Sequence, residues 1–178
     1  MKYIIKHINN YLVDDLYKFY DTHKSLLPNL TKLKKEEDKL SSILGRLLLL
    51  KLLEDKNISI IYNKNGKPYI KNNPIYFNIS HKDGYVAVVV SNKKCGIDIE
   101  TYHKINLSSL KIFATKEEQN YILDNIENNF YEIYTLKEAT LKMYGKKLSD
   151  IKNINTQNKK RTIIKNDNYF VTIIESED

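Results

Sequence analysis

The stretch FNISHKDGYVAVVVSNKKCGIDIE, residues 77–100, reads as strand, turn, strand, turn, strand. Residues 75–79, 85–91 and 96–99 are rich in β-branched and aromatic side chains. Asp83-Gly84 and Asn92-Lys93-Lys94 between them are turn formers. In the last strand successive side chains alternate in direction. Ile97 and Ile99 therefore face a core while Asp98 and Glu100 share the opposite face.

Outward from this stretch the periodicity changes. Residues 2–8 alternate as a strand, and 14–19 form a short helix closed by Pro28. A charge run over 32–39 precedes a helix over 40–53, where Leu40, Ile43, Leu44, Leu47, Leu48 and Leu52 recur at helical spacing. Gly45 inside that helix signals a close approach of a neighbour. Asn65-Gly66 after the β-rich residues 58–62 predicts a hairpin. Downstream, Thr115 with Glu118 is a capping-box pair. Residues 130–143 form a helix that Gly145 caps, and 161–165 and 169–174 are two strands around Asn166-Asp167-Asn168. Strand, helices, strands, helices, strands is an α+β order with antiparallel sheets. No internal sequence repeat is visible.

The bulk properties narrow the class. The chain has 178 residues, 42% hydrophobic and 29% charged, an ordinary globular mix able to bury a real core. No apolar run approaches the ~20 residues of a membrane span. Residues 1–7 lack an apolar signal core, so a cytoplasmic, non-membrane protein is expected. The single cysteine, Cys95, precludes an internal disulfide and reads as a small buried filler. The net charge of +7 is carried almost wholly by lysine, with Arg46 and Arg161 the two arginines. Lysine, asparagine and isoleucine abundance reads as compositional drift. The scarcity of arginine, the side chain suited to bidentate phosphate readout, argues against nucleic-acid recognition.

Three features carry chemistry. Asp98 and Glu100 on one strand face form a hard-oxygen pair suited to Mg²⁺, although a plain solvent face would look the same. Glu138 and Lys142 are four apart on one helix face, next to Lys137, an arrangement also found in routine surface ion pairs. Asn78-Ile79-Ser80-His81 places a hydroxyl and an imidazole at a strand end, where a histidine can equally be structural.

Together these segments resemble the Sfp-type 4′-phosphopantetheinyl transferase family. That family's pattern is Gly-Lys-Pro, Asn-Ile-Ser-His, Gly-Ile-Asp-Ile-Glu, then Trp-x-x-Lys-Glu-Ala followed by a lysine and a glycine. This chain has Gly66-Lys67-Pro68, residues 78–81, residues 96–100 and YTLKEATLKMYG over 134–145, with Tyr134 in place of the tryptophan. The match is close over residues 66–145 and only in outline at both ends.

The resemblance implies a pseudo-dimer, two similar α+β halves over 1–91 and 92–178 with a ligand cleft between them. It implies transfer of the phosphopantetheine arm of coenzyme A onto a serine of an acyl or peptidyl carrier protein by a monomer. Asp98, Glu100 and Glu138 would hold Mg²⁺. Glu138, or a water it orients, would take the serine proton. Lys142 and Lys137 would stabilise the pyrophosphate, and Ser80, His81 and Lys67 would grip the coenzyme. Glu118 falls where the family has a further acidic residue. The basic residues that bind the 3′-phosphate are not assigned. Lys24, Lys32, Lys34, Lys35 and Arg46 are candidates, and Ser42 falls where the family often contacts the nucleotide. Competing readings are another Mg²⁺-dependent phosphotransferase, a coenzyme A-binding protein without turnover, and a basic nucleic-acid-binding module using the fourteen tyrosines for stacking. No Walker loop is present to support ATP chemistry.

Overall fold

A strand as uniformly apolar as residues 85–91 needs cover on both faces. The fold supplies it in a computed structural model that describes residues 1–54, 57–157 and 160–177. Strand β5 (Tyr85–Ser91) lies between β1 (Lys2–His7) and β4 (Tyr76–Lys82) in an antiparallel three-stranded sheet. Val86, Val88 and Val90 pack with Leu40, Ile43, Leu44 and Leu48 of helix α2 (Glu36–Leu53). Ala87 and Val89 turn the other way, against Cys95, Ile97 and Ile99 of β6 (Cys95–Thr101) and Val171 and Ile173 of β8 (Tyr169–Glu175).

The second sheet repeats the topology of the first. Its order is β6-β8-β7, with β7 spanning Arg161–Lys165. In each sheet the first strand pairs with the last, the last two strands form a hairpin, and one long helix covers a face. That helix is α2 in the first half and α5 (Ile126–Tyr144) in the second. The expected pseudo-dimer of α+β halves is therefore present, although no sequence repeat announces it. Helix α1 (Val13–Thr22) precedes α2, and α3 (Leu110–Phe113) and α4 (Lys116–Asp124) precede α5. A small hairpin of β2 (Ile60–Tyr62) and β3 (Pro68–Ile70) turns at Asn65-Gly66 as expected. Among the described residues no helix is long and apolar enough to cross a membrane.

Several elements exceed their expected bounds, and for two of them the reason is local. Helix α2 begins at Glu36 rather than Leu40, because Glu36, Glu37 and Asp38 sit in its first turn, where the helix dipole favours negative charge. Strand β4 continues through Ser80, His81 and Lys82. The two-residue turn Asp83-Gly84, with φ of 45° and 76°, keeps it paired to β5 as far as Lys82 opposite Tyr85.

The halves meet along β4 and β6, which run side by side in the same direction. The Ile97 N–H donates to Asn78 Oδ1 at 2.9 Å, and the Ile99 N–H donates to Ser80 Oγ at 3.4 Å. The two edge strands are thus joined by side chains of one to backbone of the other. Gly96 lets α5 close on β6: a Cβ there would fall 2.0 Å from the Ala139 carbonyl oxygen. Helix and strand would have to separate to admit a methyl group. Gly96→Ala should destabilise the protein by about 3 kcal/mol or more, read as a lower urea midpoint, and a shift within error would contradict this packing.

Candidate active site

Gly96, Asp98 and Glu100 alternate onto the face of β6 that looks at α5. On α5, Tyr134, Glu138 and Lys142 are spaced four apart and share a face. The close contact at Gly96 brings the two rows together. Lys142 Nζ donates to Asp98 Oδ1 at 2.5 Å and to Ser80 Oγ at 2.8 Å. Ser80 Oγ donates in turn to Asp98 Oδ1 at 3.0 Å. Tyr134 Oη donates to Glu138 Oε1 at 3.1 Å. Lys82 Nζ lies 3.0 Å from Glu100 Oε2 in an ion pair without hydrogen-bond geometry. Asp98 Oδ2 is buried with no hydrogen-bond partner among the described residues.

Three acids in one partly buried place disturb each other. Burial first, then the charge of Asp98, raises the Glu138 carboxyl above its ordinary value, against the opposing pull of Lys142, Tyr134 and Lys82. Burial and Asp98 also raise Glu100, with Lys82 opposing. The Tyr134 phenol is held well above its usual range by burial and by Glu138 beside it, so it stays a hydrogen-bond donor. Burial pushes the Cys95 thiol up to about 12, which suits an inert filler.

His81, on the opposite face of β4 from Ser80, lies toward the start of α2. Desolvation holds its imidazole below the usual value, Asp38 and Glu37 pull it up, and Lys142 pushes it down. Arg46 of α2 sits over the Phe77 ring at 5.8 Å and donates from Nε to the Leu26 carbonyl. His81 and Arg46 thus both belong to the first half, on the side of β4 opposite Ser80.

Two residues to which the resemblance gives a role in gripping the coenzyme have other partners in this structure. Lys137 does not face the cluster. Its side chain has no solvent exposure, and Nζ pairs with Glu118 Oε2 at 2.8 Å while donating to the carbonyls of Ile151, Lys152 and Ile154. One position away from Glu138 on a helix is a rotation of about 100°, which turns Lys137 into the core of its own half. Lys67 donates from Nζ to the Met143 carbonyl at 2.6 Å, and Asn65 donates to the Gly145 carbonyl at 2.8 Å. The β2–β3 hairpin therefore clasps the C-terminal end of α5, whose last carbonyls lack helical partners. Glu118 is likewise committed: it accepts from the Thr115 N–H and from Thr156 Oγ1, besides pairing with Lys137.

Three contributors were given no role in the site from the sequence. Lys82 follows Ser80 by two residues, so strand alternation placed it on the same face. Tyr134 precedes Glu138 by four, so helical spacing placed it beside that acid. Asn78 offered no signal for its partner, because Ile97 lies in the other half. Among the described residues no three His, Cys, Asp or Glu side chains stand at metal-ligand spacing, and Lys142 and Lys82 share the acids instead.

Two like halves with acids and lysines gathered on their seam define the architecture, and similarity to known proteins supplies its family. Residues 22–93 match the family described as 4′-phosphopantetheinyl transferase, N-terminal, and residues 94–175 match the 4′-phosphopantetheinyl transferase superfamily. The chain is 35% identical over 120 residues to the 4′-phosphopantetheinyl transferase gsp of Aneurinibacillus migulanus, covering 62% of this chain and 50% of the relative. It is 32% identical over 125 residues to the 4′-phosphopantetheinyl transferase Sfp of Bacillus subtilis, covering 64% and 56%. A putative 4′-phosphopantetheinyl transferase of Haemophilus influenzae is 33% identical over 133 residues, covering 65% and 57%. The chain spans about half the length of the curated relatives it matches. It belongs to the 4′-phosphopantetheinyl transferase superfamily.

The raised carboxyls have a consequence for the metal-free protein. A folded state that raises an acid's pKa holds the proton more tightly than the unfolded chain. The associated stability is present below the ordinary carboxyl value of 4.5 and is lost as pH rises through the higher folded value. Glu138→Gln removes one of three repelling charges and keeps an acceptor for Tyr134. The metal-free variant should melt at a higher temperature than the parent at pH 8, with a flatter decline between pH 5 and 8. A variant less stable than the parent at pH 8 would show that the acids are not in conflict.

Proposed function

We propose that this chain is a Mg²⁺-dependent 4′-phosphopantetheinyl transferase. It moves the phosphopantetheine arm of coenzyme A onto a serine hydroxyl of an acyl or peptidyl carrier protein. The observation that carries this reading is the convergence of Asp98, Glu100 and Glu138 with Lys142 and Lys82 at the seam between the halves. Residues 1–91 supply the coenzyme side of the seam and 92–178 the acids.

The chemistry of the donor set suits a magnesium ion, although the three acids do not stand at metal-ligand spacing in this structure. All three candidate ligands are hard oxygens, and Asp98 Oδ2 is a buried carboxylate oxygen with no partner of its own. Burial and then the charge of Asp98 raise Glu138 and Glu100, and a dication would relieve that repulsion. When bound, the ion would supply charge neutralisation for a pyrophosphate and a fixed position for its oxygens.

The chain's own residues do the remainder. Phosphoryl transfer needs positioning and charge stabilisation more than covalent chemistry. Lys142, now on Asp98 and Ser80, is the cation to be handed to the pyrophosphate. Ser80 and His81 hold the phosphates from β4. The carrier serine oxygen attacks the β-phosphorus of coenzyme A as the bond to the bridging oxygen breaks, releasing adenosine 3′,5′-bisphosphate. Glu138, its carboxyl raised above the ordinary value by burial and Asp98 and oriented by Tyr134, takes the serine proton directly or through a water. A cavity of about 640 Å³ opens beside these acids, lined by Lys82, Glu100, Tyr134, Ile112, Phe113 and Leu148. Neither His81 nor Arg46 lines it, and the serine-bearing partner would approach through it.

The test is mass spectrometry of an acyl carrier protein after incubation with this protein, coenzyme A and Mg²⁺. The expected result is a mass gain of one phosphopantetheine. Coenzyme A binding without that gain would leave a binder rather than an enzyme. Glu138→Gln should lower kcat by at least about 100-fold with the fold intact. His81→Ala should raise the KM for coenzyme A more than it lowers kcat, the signature of lost uniform binding. Unchanged coenzyme A dependence would remove His81 from the phosphate grip.

A further inference from the structure

Lys137 is the one fully buried cation among the described residues, and a buried ammonium is costly unless fully partnered. Its partners lie on two other segments. Glu118, in the first turn of α4, holds it by an ion pair at 2.8 Å. The carbonyls of Ile151, Lys152 and Ile154 accept its N–H groups from the stretch after α5. Thr156 closes the ring by donating to the other Glu118 oxygen at 2.8 Å. A single side chain on α5, next in sequence to Glu138, thus pins residues 151–156 and the start of α4 to the helix that carries the reactive acid.

The pinned stretch is the continuation of a wall. Leu148, Ser149 and Ile151 line the 640 Å³ cavity that reaches Lys82, Glu100 and Tyr134. Ile112 and Leu148 stand at its edge with 73% and 60% of their surface exposed, large values for apolar side chains. Lys104, and Lys82 in its ion pair with Glu100, add charge to a rim whose other edge is apolar. That combination suits an acidic protein presenting apolar side chains around its serine.

We infer that Lys137 and Glu118 are positioning residues that set the shape of this wall and so govern affinity for the serine-bearing carrier, not for coenzyme A. The inference rests on the transferase reading above. Neither side chain reaches the cavity or the acid cluster through its charged atoms. Their effect passes through the 151–156 backbone, whose carbonyls would lose their donor if Lys137 were shortened or neutralised.

The experiment measures KM for the carrier at saturating coenzyme A, and KM for coenzyme A at saturating carrier, in parent, Lys137→Met, Lys137→Met with Glu118→Leu, and Thr156→Val. A misplaced wall should raise the carrier KM of Lys137→Met about 10-fold, leaving the coenzyme A KM within about twofold. The double variant removes the orphaned buried carboxylate and should recover thermal stability while keeping the raised carrier KM. Thr156→Val, the mildest change, should raise the carrier KM about threefold. Hydrogen exchange should quicken over residues 148–156 in Lys137→Met, a readout independent of turnover. A raised coenzyme A KM with an unchanged carrier KM would make Lys137 a phosphate ligand. Unchanged values for both, in the double variant and in Thr156→Val, would reduce the pair to a stabilising contact. A parent protein that transfers nothing would instead overturn the transferase reading, while the exchange result would still report on the wall.

Discussion

The junction between β4 and β6 is the constraint on which the site depends. Edge strands leave a row of unpaired N–H groups that must find acceptors. Here Asn78 Oδ1 and Ser80 Oγ serve the N–H groups of Ile97 and Ile99. This fixes the register between two sheets that share no backbone hydrogen bonds across the seam. The same register sets Ser80 beside Asp98 and Lys82 beside Glu100. The apolar layer of Ala87 and Val89 against Ile97, Ile99 and Val171 lies behind it and excludes water from one side of the seam.

A second contact brings acids and lysines together at that junction. Because Gly96 has no side chain, α5 rests on β6 at Ala139, with Glu138 next to it and Tyr134 and Lys142 about one turn to either side. Thr135 and Thr172 hydrogen-bond at 2.6 Å beneath this contact and tie α5 to the central strand of the sheet. The result is an electrostatic conflict: three carboxylates partly removed from water, balanced by two lysines. Proteins keep such conflicts where charge is to be exchanged with a ligand.

The lysines of α5 show how little residue type says about role. Lys137 and Lys142 sit five positions apart on one helix. Lys142 remains partly exposed and touches both halves through Asp98 and Ser80. Lys137 has no exposed surface, and its ammonium serves Glu118 and three carbonyls of its own half. The rotation of the helix separates the two.

Much was legible in the chain itself, because it depends on local rules. The alternation that puts Asp98 and Glu100 on one face, the helical spacing of Glu138 and Lys142, the Thr115 capping box and the turns at Asn65-Gly66 and Asp83-Gly84 follow from period and turn chemistry alone. The α+β class and the three-strand reading of residues 77–100 follow for the same reason. What the tertiary structure alone decided concerns partners distant in sequence. Asn78 meets Ile97 across the seam, Lys67 clasps the end of α5, and Glu118 draws Lys137 away from the acids. A side chain's partner across a fold depends on which faces pack together, and that is set by the shape of the whole core rather than by spacing along the chain.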